Sequence, residues 1–258
     1  MGLPRDVTVG LTFVSGTGDV VHGGGRVVKN VAGFDLVRLT IGAWGTLGVI
    51  TGATVRLRAR PEADETIGME LPAERDAVAT LLSNIRQATV EPIAAELLSP
   101  ACAATAGLGT QATLLVRLAG NTQGVHHQRS TLAKLVRCEN VDLDVWSRLR
   151  RSDPGGTVVR VSRRPSELAR LWTSAMSIPD VDAHATLSRG VVRLRLTSGT
   201  MPAEAFDAND RIVYETAPAG LRAGGNPSFQ DHIAIRLRDA FDPDRVLNRG
   251  ILGPEVAP

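Results

Sequence analysis

Glycines are concentrated between Gly23 and Gly48, where their spacing suggests that another molecule meets the main chain. Seven glycines fall in this stretch: Gly23, Gly24, Gly25, Gly33, Gly42, Gly45 and Gly48. Glycine costs backbone entropy, so this density marks positions that need a positive φ or a close approach. Bare main-chain N–H and C=O groups beside short apolar segments suit a large, flat, phosphorylated cofactor. Tight turns between β-strands are the alternative that spacing alone leaves open.

Three segments carry a more specific signal than glycine spacing. Residues 26–36 read RVVKNVAGFDL, residues 41–51 read IGAWGTLGVIT, and residues 241–250 read FDPDRVLNRG. Together they resemble the FAD-linked oxidases of the vanillyl-alcohol oxidase type, and in particular the FAD-binding subunits of bacterial glycolate oxidase. The chain departs from the family pattern at five positions: Phe34 for Tyr, Ala43-Trp44 in the loop, and Arg249 and Ile251 in the tail.

The resemblance implies an α+β fold in two parts. The first is the second half of a PCMH-type FAD-binding domain, and the second is a ferredoxin-like α+β cap domain that roofs the flavin. Main-chain groups around Val49 are expected to bond the adenine end of FAD. The expected cofactor-binding residues are Gly42, Gly45, Thr46, Gly48, Val49, Ile50, Lys29 and Asn248. No Cys or His stands in a pattern for covalent flavin, so we expect FAD to be held non-covalently.

The match begins part-way through the flavin domain, because no glycine-rich loop for the pyrophosphate precedes residues 3–11. We therefore expect the first flavin subdomain to belong to a longer chain or to a partner. The implied activity is oxidation of a 2-hydroxy acid, glycolate first, with a catalytic flavoprotein subunit and an iron–sulfur subunit as partners. A truncated, non-catalytic assembly subunit and a FAD-dependent oxidase of another alcohol are the alternatives. No catalytic residue is identified.

The resemblance implies three parts: residues 1–62 as the second FAD-binding subdomain, 63–205 as the cap, and 206–258 as a return to the flavin domain. In the first part we predict a hairpin over residues 7–22, a short helix over 34–41 and a strand from Val49 to Leu57. The cap segment contains two β-α-β-β runs, which predict an antiparallel sheet backed by helices on one face. We assign a strand at 212–215 and a helix at 229–240 to the C-terminal part, which returns to the flavin domain.

Several single side chains have both a functional and an ordinary structural interpretation. Lys29 could offset a phosphate or carboxylate charge, or be a surface lysine. Asp35 is interpreted as an anion at a helix N-terminus rather than a catalytic group. Trp44 could stack on the cofactor or pack. Adjacent helical residues point to different sides, so His126 and His127 do not form a metal site.

Composition excludes several classes of protein. A net charge of +2 without a basic, aromatic-interleaved run argues against nucleic-acid binding. Cys102 and Cys138 lie far apart and are interpreted as free thiols. No segment approaches the ~18 apolar residues of a membrane span. We expect a cytoplasmic protein, or one held peripherally at the inner membrane through partners.

Overall fold

A computed structural model describes residues 4–25, 34–151, 156–196, 205–207, 209–218 and 232–248. Lys29, which the sequence predicts to bind the cofactor, lies outside these residues. Contacts divide the chain into two units: Met1–Ala59 with Arg222–Pro258, and Arg60–Leu221. We refer to them as the small unit and the large unit. No described helix is long and apolar enough to cross a membrane.

A three-stranded antiparallel sheet with the order β2-β1-β3 forms the small unit. Its elements are α1 (Pro4–Val7), β1 (Thr8–Val14), β2 (Val20–Gly24), α2 (Leu36–Thr40), β3 (Val49–Val55) and α8 (His232–Phe241). Leu11, Phe13 and Val37 form its core, and the ring of Phe241 lies 5.9 Å from that of Phe13. A helix from the end of the chain therefore completes a core built near its beginning.

Local predictions for the small unit agree with the structure. β1 and β2 form the predicted hairpin, with Val14 opposite Val20. The predicted helix begins after Asp35, whose carboxylate accepts a 2.9 Å hydrogen bond from the N–H of Arg38. Asp35 is thus an N-cap, as interpreted from the sequence. β3 ends at Val55, two residues before the predicted end at Leu57.

The large unit is built on one eight-stranded, fully antiparallel sheet with the order β11-β8-β10-β9-β5-β6-β4-β7. Its strands are β4 (Ala63–Glu70), β5 (Ala94–Leu98), β6 (Thr113–Gly120), β7 (Glu139–Val141), β8 (Thr157–Ser162), β9 (Asp182–Thr186), β10 (Val191–Leu196) and β11 (Arg211–Thr216). Its helices are α3 (Arg75–Gln87), α4 (Pro100–Thr105), α5 (Thr122–Ala133), α6 (Val145–Arg151) and α7 (Leu168–Met176), the last preceded by a 3₁₀ turn, Pro165–Glu167.

The two predicted β-α-β-β runs are the two halves of this sheet. In each half the helix connection skips one strand position, so that β6 lies between β4 and β5, and β10 lies between β8 and β9. The halves meet where β5 pairs with β9, a join that we call the seam. β7 pairs with β4 and β11 with β8, which adds one outer strand to each half.

Ser99, just beyond the end of β5, stabilises the seam by hydrogen bonding. Its side chain is fully buried, and its hydroxyl accepts hydrogen bonds from the N–H of Ala183 (2.9 Å) and of Cys102 (3.2 Å). The second of these bonds caps α4. One hydroxyl therefore both joins the halves and starts a helix.

Two predictions about the large unit need correction. Helices lie on both faces of the sheet, because Leu98 and Leu115 point away from the main core and pack with Cys102 of α4 and Val145 of α6. These two short helices were missed. The strand at 212–215 does not return to the flavin domain: β11 is hydrogen-bonded to β8 and extends the large unit's sheet beyond residue 205.

Candidate functional site

The loop between α2 and β3 is a run of tight turns that its own main chain stabilises. The carbonyl of Thr40 accepts from the N–H of Ala43 at 3.1 Å. The carbonyl of Ala43 accepts from both the N–H (3.1 Å) and the hydroxyl (2.7 Å) of Thr46. Thr46 is buried. Its side chain therefore holds the loop rather than facing outward.

Left-handed backbone conformations explain the residue types in this loop. φ is +89° at Gly42, +58° at Trp44 and +71° at Gly45. A non-glycine residue in this conformation is uncommon, and Trp44 is therefore a locally strained position. An added Cβ at Gly42 would meet no atom within 4 Å, whereas one at Gly45 would lie 3.4 Å from Nδ2 of Asn248.

Asn248 connects the tail motif to this loop. Its side-chain amide donates a hydrogen bond to the main-chain carbonyl of Trp44, across 204 positions of sequence. Two of the three segments that carried the family resemblance thus meet in the small unit. Spacing alone gave no reason to expect this contact.

Asp242 stabilises the turn that places Asn248 next to the loop. The residue is only 1% exposed, and its carboxylate accepts hydrogen bonds of 2.9 Å from the N–H groups of Val246 and Leu247. The carbonyl of Phe241 accepts from the N–H of Gly16 at 2.8 Å. A Cβ at Gly16 would lie 2.7 Å from the Cα of Asp242, so the tail and the β1–β2 turn are in direct backbone contact.

Gly48 packs closely against β1. An added Cβ would lie 2.4 Å from the Phe13 ring and 2.8 Å from the carbonyl oxygen of Val14. Gly48 is buried, and its side faces the core of the small unit. Its smallness allows the loop to pack against β1.

Val49 and Ile50 form the exposed part of the predicted site. They are 56% and 45% exposed, although Leu47 just before them is buried. Both lie at the start of β3, which pairs only with β1 in the described residues. Alternate main-chain groups of such an edge strand point away from its neighbour. The segment therefore offers apolar side chains and main-chain hydrogen-bonding groups side by side.

The structure brings together all the predicted cofactor-binding residues that it describes: Gly42, Gly45, Thr46, Gly48, Val49, Ile50 and Asn248. Sequence reasoning missed Gly16, Phe241 and Asp242, which fix the position of Asn248. The signal was present, since Phe241 and Asp242 open the tail motif. That motif identified a family but did not show which contacts its residues make.

Charged groups of the large unit are mostly engaged with one another. The buried Asp210 carboxylate accepts from Arg163 at 2.8 Å and from Arg170 at 2.5 Å. Burial works to raise the pKa of Asp210, but hydrogen bonds from Arg170, the Asp207 N–H and Arg163 hold it below its usual value. This cluster ties residues 205–210 to β8 and α7.

Neither cysteine nor histidine forms a reactive centre in the described residues. Burial raises the pKa of the Cys102 thiol to about 12, with a further contribution from Asp182, so the thiol stays protonated. Cys102 and Cys138 are both free, as expected from their spacing. Among the residues that the structure describes, no group of three or more His, Cys, Asp or Glu could hold a metal ion.

Comparison with known proteins identifies relatives over part of the chain. It is 41% identical over 97 residues to glycolate oxidase subunit GlcD of Bacillus subtilis, a match of 38% of this chain and 20% of that protein. It is 42% identical over 94 residues to the mitochondrial D-lactate dehydrogenase (cytochrome) of Arabidopsis thaliana, 35% and 17% of the two chains. Glycolate oxidase subunit GlcE of Escherichia coli is 34% identical over 92 residues, 36% and 25%. The matched segments thus span a quarter or less of these relatives.

The fold is that of PCMH-type FAD-binding proteins. p-Cresol methylhydroxylase with substrate bound superimposes with a TM-score of 0.67 at 15% identity, covering 97% of this chain and 66% of that one. No family model matches the sequence. At this level of identity the superposition shows the fold alone, and it agrees with the α+β architecture expected from the sequence.

Proposed function

We propose that the chain is a FAD-linked oxidase of the vanillyl-alcohol oxidase type and that it is the FAD-binding subunit of a complex that oxidises a 2-hydroxy acid. Glycolate is the first candidate substrate. Glycolate and D-lactate, named in its relatives, share a hydroxyl group on the carbon next to a carboxylate.

The meeting of the loop and the tail motif carries this proposal. Asn248 bonds the carbonyl of Trp44, and the loop then passes directly into the exposed Val49 and Ile50. An edge strand with apolar side chains and outward main-chain groups suits the adenine end of a dinucleotide. The residues present therefore fit FAD, with Val49 and Ile50 as the contacts and with Asn248 and Thr46 as supports.

Bound FAD would supply hydride acceptance from the α-carbon of the hydroxy acid and transfer of electrons to an iron–sulfur partner. The chain's own contribution is to hold FAD in a fixed orientation and to enclose it. Asp242 fixes the turn that carries Asn248, and Asn248 restrains the strained carbonyl of Trp44. Such rigid support lets Val49 and Ile50 present the same surface each time the cofactor binds.

The partners proposed with this function are a catalytic flavoprotein subunit and an iron–sulfur subunit, and the place of action is the cytoplasm or the inner membrane's surface.

The experiment is co-purification of the chain with glycolate oxidase-type partners, followed by visible absorption and glycolate-dependent reduction of a dye. Flavin bands in the complex and their bleaching by glycolate would support the proposal. A complex that forms without flavin, or a flavin that glycolate does not reduce, would contradict it.

A second candidate is a non-catalytic assembly subunit. The exposed apolar side chains of Val55 and Leu57 favour it, because such surfaces drive association between proteins. The same preparation separates the two candidates. An assembly subunit would stabilise its partners without adding any flavin to the complex.

A further inference from the structure

Two arginines lie directly opposite each other on the second face of the large unit's sheet, the face that carries Leu98 and Leu115. Arg193 of β10 is the register partner of Arg160 of β8. On the other side of β10, the register partner of Arg193 is His184 of β9. Like charges at directly opposite positions destabilise a sheet. The two arginines therefore need negative charge close by.

Glu215 of β11 supplies one negative charge to both arginines. Its carboxylate accepts a 2.8 Å hydrogen bond from Nε of Arg193 and lies 3.5 Å from Nε of Arg160. A register shift between Tyr214 and Thr216 leaves Glu215 without a register partner on β8. Irregularities of this kind redirect a side chain. One carboxylate thus faces two guanidinium groups.

Arg160 is the less well compensated of the two arginines. Its Nε is buried and donates no hydrogen bond, and no hydrogen bond joins its side chain to any part of the chain that the structure describes. Burial lowers the pKa of Arg160; Glu215 opposes this shift, and the positive charges of Arg193 and Arg211 add to it. An arginine nevertheless stays charged at physiological pH. Its positive charge is therefore half-buried and only partly neutralised.

The nearest carboxylates on β9 and β5 are bonded to other groups. Nη2 of Arg195 donates to the carboxylate of Asp182 at 2.7 Å. The carboxylate of Glu96 accepts from the hydroxyl of Thr186 at 2.9 Å and lies 3.4 Å from Nδ1 of His184. The unbalanced positive charge of this face thus lies where β8 and β10 meet.

We propose that Arg160 and Arg193 form a binding site for a small, singly charged carboxylate. The terminal nitrogens of Arg160 donate to its two oxygens, in the forked geometry that suits a guanidinium and a carboxylate. Two arginines and Glu215 together carry a net positive charge, which one carboxylate neutralises. A dianion would bring further negative charge toward Glu215 and is disfavoured. This site does not depend on the proposed flavin function.

The test uses the full chain with acetate as the probe, at an ionic strength that sodium chloride holds constant. Saturation-transfer NMR and calorimetric titration measure the dissociation constant of acetate. Acetamide, a neutral molecule of similar shape, tests the need for charge, and inorganic sulfate tests the effect of a second charge. Both should bind at least about tenfold more weakly than acetate.

Three variants distinguish this site from general attraction of anions. Arg160→Gln should weaken acetate binding about tenfold, the usual scale for a lost charge-assisted hydrogen bond. Glu215→Gln should act in the opposite direction and tighten binding about threefold, because it removes the competing carboxylate. Arg137→Gln alters an arginine whose side chain is 88% exposed, and this matched control should bind acetate normally.

Circular dichroism would establish which variants are folded. Absence of acetate binding at tens of millimolar would overturn the proposal, and so would equal binding of acetamide or tighter binding of sulfate. Equal effects of Arg160→Gln and Arg137→Gln would also overturn it, as would unchanged or weaker binding by Glu215→Gln. The comparison of the three probes uses the native chain, so it remains decisive if a variant does not fold.

Discussion

The side-chain amide of Asn248 is hydrogen-bonded to the main-chain carbonyl of Trp44, a residue held at a positive φ of 58°. Strained loop conformations persist only where the surroundings stabilise them. Asn248 is thus a support for the glycine-rich loop from the far end of the chain. The tail motif matters for the site because it keeps this loop in one shape.

We expect Asn248→Ala to release the loop and to lower FAD retention in the reconstituted complex about tenfold, because the hydrogen bond that restrains Trp44 is lost. Bound flavin after gel filtration is the measurement. Asn84→Ala, on the exposed face of α3, is the control and should retain flavin normally. Full retention by Asn248→Ala would mean that the loop holds its shape without the tail.

Gly48→Val should destabilise the small unit itself. Its Cβ would lie 2.4 Å from the Phe13 ring and 2.8 Å from a main-chain oxygen, and β1 cannot move away without losing its pairing. Overpacking of this kind costs about 1–3 kcal/mol of unfolding free energy. Urea denaturation is the measurement. Gly52→Val, where the nearest neighbour is 3.8 Å away, should cost far less.

Ser99→Ala should weaken the seam. The hydroxyl of Ser99 accepts from two buried N–H groups, those of Ala183 and Cys102, and its loss leaves both without that partner. We expect a loss of about 2–3 kcal/mol in unfolding free energy. The exposed Ser83→Ala in α3 serves for comparison and should change stability little. Equal stability of the two variants would show that the hydroxyl is dispensable.

Asp210 should contribute a pH-dependent part of stability. Its folded pKa lies below its unfolded value of about 3.9. The stabilisation is therefore complete above the unfolded pKa and is lost as the pH falls through the folded pKa. Asp210→Asn should be less stable than the native chain at neutral pH, and this difference should shrink in acid. A difference that stays constant with pH would contradict this assignment.

The exposed edge of the small unit should cause association. β1 has two faces, one with Leu11 and Phe13 and the other with Thr12 and Val14. The chain's own α2 and α8 cover the first side, so the interface should include the second side together with β3. In the described residues one edge of β3 has no neighbouring strand, and a strand of a second chain can pair there.

Sedimentation velocity at low concentration tests this expectation. The native chain should self-associate, and Val55→Lys should shift it toward the monomer because a charge on an edge strand opposes pairing. Leu135→Lys, at an exposed apolar position of the large unit, should leave the distribution unchanged. A native chain that sediments as a single monomeric species would contradict this expectation.

The sequence was informative wherever a local pattern decides the structure. Strong β-branched runs predicted β1, β8 and β10, and the Asp35 cap was readable from a short apolar pattern. The short helix α4 was missed although Ser99-Pro100 is an N-cap followed by proline at N1, which is a recognisable start signal.

Long-range contacts could not be predicted from local sequence patterns. Pairing of β11 with β8 depends on competition between sheet edges, and no local pattern around Arg211 reports that competition. The contact between Asn248 and Trp44 depends on where a buried carboxylate, Asp242, directs the turn before it. The role of Gly48 likewise required knowing that Phe13 lies beside it.

The seam has a consequence for how the large unit folds. In each half the strands of the β-α-β-β run pair across 57 positions or fewer, the widest pair being Ala63 and Gly120, whereas the bond from Thr186 to Glu96 across the seam joins residues 90 positions apart. Closing so long a loop costs more chain entropy than closing a hairpin. We expect the two half-sheets to form early as separate folding units and to dock late. Native-state hydrogen exchange should then find the amides of the seam opening together, at a lower free energy than those inside either half.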